Sequence, residues 1–213
     1  MPFTVDAFFA VFADYNAAIW PLQILAYLGG LVALLLLRNP SRHADAVILS
    51  ILAAMWLVNG VAYHLGHFTA INPAAWLFGT LFMLQAALVG AARWLWPSLA
   101  IFTQKPRWVR LVAAILIAYA LVLYPAIGHL AGHRYPAVPL FDVAPCPTTI
   151  FTIGVLLLGR WQTVRWLLIV PVLWSAIGGS AAVLLDVPQD YMLIASGLIV
   201  IAHALAGNRA QVP

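Results

Sequence analysis

Four of the six histidines come as two pairs at helical spacing. His64 and His67 (Tyr63-His64-Leu65-Gly66-His67) are three residues apart, and His129 and His133 (Gly128-His129-Leu130-Ala131-Gly132-His133) are four apart. Within a helix each pair would share a face. Asp142 and Cys146 follow shortly after the second pair. Imidazole, thiolate and carboxylate are the usual ligands of zinc, copper and related metals. If the pairs reach one place, His64, His67, His129, His133 and Cys146 offer more than the three or four ligands of a tetrahedral site, with Asp142 as a further ligand or the group that orients one. One histidine from each pair would equally provide the axial ligands of a b-type haem. Either pair alone is a weak motif. The plain alternative is interfacial histidines hydrogen-bonded to backbone, water or lipid headgroups.

The elements that must position these groups are membrane helices. Hydrophobic residues make up 65% of the 213-residue chain and charged residues 8%, against about a quarter charged in soluble domains. A water-soluble fold of this size has too little interior for that much apolar surface, so lipid is the expected solvent. A span needs about 20 mainly apolar residues. That length predicts seven: Ala17–Leu37, Ala46–His67, Pro73–Ala92, Val109–His133, Leu140–Gly159, Val164–Leu185 and Gln189–Ala206. Asn72-Pro73 starts a helix well, with a capping side chain before a first-turn proline, and Arg38-Asn39-Pro40 ends one.

Basic residues then set the orientation. With the N-terminus outside and the C-terminus in the cytoplasm, the inner side carries Arg38, Arg42, Arg93, Lys105, Arg107, Arg110, Arg160, Arg165 and Arg209, and the outer side only Arg134. Nine against one follows the positive-inside rule, and moving any single interior span would break it. It also explains the calculated isoelectric point of 9.6 without a nucleic-acid partner, because the cations sit in short turns between apolar runs. Trp94, Trp96, Trp108, Trp161 and Trp166 fall at the expected cytoplasmic boundary, where indole rings anchor. On this topology both histidine pairs, Asp142 and Cys146 lie at the outer face, whereas His43 and His203 lie at the inner one.

The expected fold is therefore all-α, a single transmembrane domain over residues 1–213 with membrane lipids as its partners. Phe3, Phe8, Phe9 and Phe12, mixed with polar residues in segment 1–16, suggest a short amphipathic helix on the outer surface. In the fifth span, Pro145 and Pro147 disfavour a continuous helix. Either they start a short helix from an interfacial loop, or the span is broken, with Phe141 to Pro147 non-helical and Ile150 to Leu158 helical. A broken helix would turn its N-terminus, with Thr148 and Thr149, toward a cavity. Asn59 and Tyr63 make a polar stripe on the second span, which Gln23, Gln85, Ser175 and Ser180 would extend as interhelical glue.

Several classes are excluded. The last span has no lysine for a retinal Schiff base, and GxSxG, HExxH and phosphate-loop motifs are missing. Seven-span zinc hydrolases usually carry a histidine pair on the last span, where this chain has only His203. The single cysteine precludes an intramolecular disulfide. The N-terminus lacks the features of a cleaved signal peptide, so the whole chain is read as mature.

Met1-Pro2-Phe3-Thr4, the stretch from Ala13-Asp14-Tyr15-Asn16 to Trp20-Pro21, and Pro145-Cys146-Pro147-Thr148-Thr149 resemble a bacterial family of small multi-pass inner-membrane proteins catalogued as a domain of unknown function. The resemblance implies a bacterial inner-membrane location and brings no catalytic residues. The leading functional expectation is a protein that binds zinc or copper at its outer face. Alternatives are a membrane hydrolase using the same cluster, a b-type haem protein, and a metal-free transporter or accessory subunit.

Overall fold

The computed structural model describes residues 2–209, with side chains to residue 206. Arg209 and Pro213, which enter the expectations about the C-terminus, therefore lie outside the described side chains or residues. The described residues are mostly helical and contain no strand. Ten α-helices follow one another: α1 Val5–Ala18, α2 Leu22–Leu36, α3 Arg42–Val58, α4 Ala75–Leu95, α5 Arg107–Ala118, α6 Tyr124–Leu130, α7 Pro145–Leu157, α8 Trp161–Leu167, α9 Ile169–Leu184 and α10 Tyr191–Arg209. α3 runs on through a π-helical segment, Asn59–Leu65, and α5 joins α6 through another, Tyr119–Leu123. Among the described residues four helices are long and apolar enough to cross a membrane, or up to six spans if each bent pair, α1 with α2 and α8 with α9, counts as one. α7 is a shorter apolar helix. Each expected span has a helical counterpart.

The outside of the bundle is greasy. Leu25, Leu28, Leu31 and Leu35 on α2 and Leu198, Ile201 and Leu205 on α10 are all largely exposed, a surface suited to lipid and unfavourable in water.

α7 is the axis of the fold. Twelve of its thirteen residues are buried, and α3, α5, α9 and α10 pack around it. At Gly154 a β-carbon would stand 2.8 Å from Ile117 Cγ1 and 3.1 Å from the Ala113 carbonyl oxygen, so only glycine lets α5 come so close. Thr152 Oγ1 accepts from the Trp56 indole at 2.9 Å, and Asn59 Nδ2 lies 3.1 Å from Thr148 Oγ1, pinning α3 to α7. Pro145 and Pro147 sit in the first turn, after Ala144 at the cap. The amide hydrogens they lack are ones the helix would leave unpaired in any case. The expectation that residues 141 to 147 are all non-helical is thus corrected: only the stretch up to Ala144 is, and the helix ends at Leu157.

The two ends of the bundle differ. At one end α1 turns through 86° from α2 and lies across the top. Asn16 Nδ2 donates to the Pro136 and Val138 carbonyls, both at 2.7 Å, and Gln23 Nε2 donates to the Asn16 carbonyl at 2.8 Å. The inner face of α1 carries Val11, Phe12, Tyr15 and Asn16, so this helix covers protein as well as skirting it. At the opposite end the 96–106 connection is strapped down: Arg42 donates to the Pro97 carbonyl, Arg93 to the Leu99 carbonyl, and the Asp45 carboxylate accepts from the Ile101 amide. His203 packs there between Trp108 and Trp161.

Candidate functional site

The sequence groups six side chains as ligands of one metal, and the structure gives them separate settings. His64 and His67 do not share a face. The π-helical segment shifts the register through His64, and His67 then leaves the helix as the cap of the 3-10 turn Phe68–Ala70. His67 Nδ1 stays 2.8 Å from the Ala62 carbonyl, and its ring lies against Tyr15. The second pair is separated by Gly132. With φ at +90° it ends α6, and the His133 and Gly132 amides donate back to the Gly128 and His129 carbonyls, the paired bonds of a Schellman stop. His129 stays on the helix, exposed. His133 folds away, its Nδ1 3.0 Å from Gln189 Nε2 and its ring 4.2 Å from that of Phe9. Burial lowers the basicity of His133, and the Gln189 bond opposes this. Asp142 is buried in the left-handed region, φ +68°, and its main-chain carbonyl is 3.0 Å from Asn59 Nδ2. Its Oδ1 meets no partner. Among the described residues, no three His, Cys, Asp or Glu side chains are placed to hold a metal ion.

What does come together is a cavity at the α1 end. It has a volume of about 90 Å³, and one water needs roughly 10–15 Å³ on this measure, so a small organic molecule fits. Its wall is largely aromatic, with Phe8 and Phe12 from α1, Tyr63 and Phe68 from the end of α3, Phe78 from α4 and Trp174 from α9. Phe12 stacks on Tyr63 at 4.8 Å and Tyr63 on Phe68 at 5.5 Å. The polar groups on the wall are His64, Tyr124, Cys146 and Asp190, with Asn72 at the rim side.

His64 is fully buried. Its ring lies edge-on to Phe82 at 4.7 Å and to Trp174 at 5.2 Å, and neither ring nitrogen has a protein partner. The Trp174 indole N–H is also unpartnered. Asp190, on the same wall, is 4% exposed. It accepts from the Tyr124 hydroxyl at 2.6 Å, and Cys146 lines the cavity as well. The Asp190 carboxyl group thus lines a largely aromatic wall. Tyr119 fixes the same turn by donating to the Gln189 carbonyl at 2.9 Å.

Of the six sequence candidates, this cavity takes in His64 and Cys146. Asp190, Tyr124 and Trp174 were missed as site residues. The signal available was Asp190 next to an expected span boundary, an acid with no cation nearby in sequence. Nothing in the sequence marks Tyr124 or Trp174 among seven tyrosines and nine tryptophans.

No curated protein and no solved structure matches the chain. One family does, over residues 5–212, almost the whole length and including every residue of the cavity except Phe3. The chain belongs to that family, described as a family of unknown function, DUF6064.

Proposed function

We propose that this is a seven-span protein of the bacterial inner membrane, N-terminus outside and C-terminus in the cytoplasm, which binds a small organic ammonium ion in the cavity under α1. The carrying observation is a buried acid, Asp190, on the wall of a largely aromatic cavity. A carboxylate in an apolar site is costly unless something compensates its charge. Tyr124 donates a hydrogen bond but brings no positive charge. An ammonium ion provides it, and the faces of Trp174, Tyr63 and the phenylalanines attract the same charge through their quadrupoles. His64, with both ring nitrogens unpartnered, offers one donor and one acceptor to polar groups on the ligand. A transition metal suits this cavity less well, because its soft and imidazole ligands are not gathered around one point.

Choline and its uncharged isostere 3,3-dimethyl-1-butanol separate charge from shape. Calorimetric titration of the detergent-purified protein is expected to show choline binding at least ~10-fold tighter than the isostere, a difference of about 1.4 kcal/mol. Asp190→Asn should remove that preference, and Trp174→Ala should weaken choline by about 2–30-fold, the range of one cation–π contact. Equal binding of both compounds by the unaltered protein would refute an ammonium site without reference to any variant.

A further inference from the structure

A second site lies on the flank of the bundle, away from the cavity. Midway along α2 the helix is pressed against its neighbours at Gly30, where a β-carbon would stand 2.8 Å from the Phe141 ring and 3.3 Å from Leu121 Cδ2. From that contact toward the basic end, α2 and α5 are parted by a groove of about 660 Å³. Leu31 and Leu34 form one wall, Ala114 and Ala118 the other, and Phe102 and Leu158 line it as well. Ala114 and Ala118 are one turn apart, so the α5 wall is shallow where a larger side chain would fill the gap. At the open end stand two guanidiniums, Arg38 and Arg110, both on exposed residues. No carboxylate lines the groove.

Along α5 and its continuation the groove runs from Leu121 to Arg110, about 16 Å at ~1.5 Å per residue. That is close to half of a hydrocarbon core of roughly 30 Å, the depth of one leaflet. An apolar trough one leaflet deep, ending in paired cations at the interface, is complementary to a molecule with a long chain and an anionic head. Arginine is well suited to the head, because its planar fork binds phosphate oxygens in pairs.

We infer that this groove binds one anionic phospholipid, an acyl chain lying against Leu31, Leu34, Ala114 and Ala118 and the phosphate held between Arg38 and Arg110. A zwitterionic lipid offers the same chain and phosphate but adds an ammonium that the two arginines repel, so the site discriminates by net headgroup charge.

Native mass spectrometry of the purified protein tests this, using phosphatidylglycerol and phosphatidylcholine with identical chains. One phosphatidylglycerol is expected to stay bound through detergent removal, at least ~10-fold more often than phosphatidylcholine. Arg38→Gln with Arg110→Gln should reduce it to the phosphatidylcholine level, and Arg38→Lys with Arg110→Lys should keep a partial preference. Ala118→Trp fills the trough and should lower retention of both lipids while leaving the arginines in place. Circular dichroism and gel filtration establish that each variant is folded. Equal retention of the two lipids by the unaltered protein, or undiminished phosphatidylglycerol on the folded Gln/Gln variant, overturns the inference.

Discussion

Pro171 has no amide hydrogen, so the carbonyl four residues earlier, on Leu167, loses its helical donor. Gln85 from α4 supplies one across the bundle, Nε2 to the Leu167 oxygen at 2.7 Å, from a fully buried side chain. The break between α8 and α9, a 45° bend, is thereby satisfied from outside its own helix. Gln85→Leu keeps the volume roughly and leaves that oxygen unpaired. We expect a loss of about 1–2 kcal/mol in unfolding free energy, read as a lowered thermal midpoint in detergent. Ser180→Ala is the control: Ser180 is exposed and bonds only the Ile177 carbonyl of its own helix, so a change within about 0.5 kcal/mol is expected. Equal effects of the two substitutions would contradict the assignment. Of the polar residues singled out from sequence as interhelical glue, Gln23, Gln85 and Asn59 bond across elements, one at a time, whereas Ser175 and Ser180 bond only carbonyls of their own helix. Gln23, Gln85 and Ser175 each bond a backbone carbonyl, and Asn59 alone reaches a side chain, Thr148. A sequence shows that such groups need partners. It does not show which carbonyls a proline or a π-turn elsewhere has left open.

The seven apolar runs were legible as helices because a spanning length is a property of consecutive residues. Irregularity within them was less so. Neither π-helical segment has a marker in composition, yet the one at Asn59–Leu65 decides that His64 faces inward while His67 does not. The argument that histidines three apart share a face assumes uniform 3.6-residue turns, and that assumption fails here. For His129 and His133 the marker was present. Glycine after a helical run is the commonest helix stop, and Gly132 turns the chain before His133 can complete its pair. Pro145 and Pro147 were informative in the other direction: two missing amide hydrogens are incompatible with a helix interior but harmless in its first turn, which is where both lie. Placement of the site depended on chain segments far apart in sequence. Tyr63, Trp174 and Asp190 come from three separate elements, and Phe12 joins their wall from α1, which turns 86° from α2.

For the molecule as a whole, the distribution of charge is the strongest statement about orientation. Arg42 and Arg93 anchor the connection at the end opposite α1, and the exposed Trp94, Trp108 and Trp166 belong to the helix ends there. On the proposed topology that end faces the cytoplasm. A reporter joined after Pro213 should be cytoplasmic, and one inserted near Pro136 periplasmic. Both on one side would overturn this topology and remove the basis for placing the cavity at the outer face. The burial of α7 carries a consequence for biosynthesis. Thirteen residues reach only about 20 Å at ~1.5 Å per residue, short of a core of roughly 30 Å, and the segment includes two prolines and three threonines. A translocation channel that sorts nascent segments by their affinity for lipid has little reason to release this one sideways. Its affinity is for protein, and two of its neighbours, α9 and α10, are synthesised after it. The crossing is therefore expected to be completed late, by assembly onto finished partners. A chain ended after Gly159 should leave that terminus accessible to protease from the outer side, whereas the same position in the full-length protein should be protected. Equal protection in the two chains would show that α7 inserts unaided.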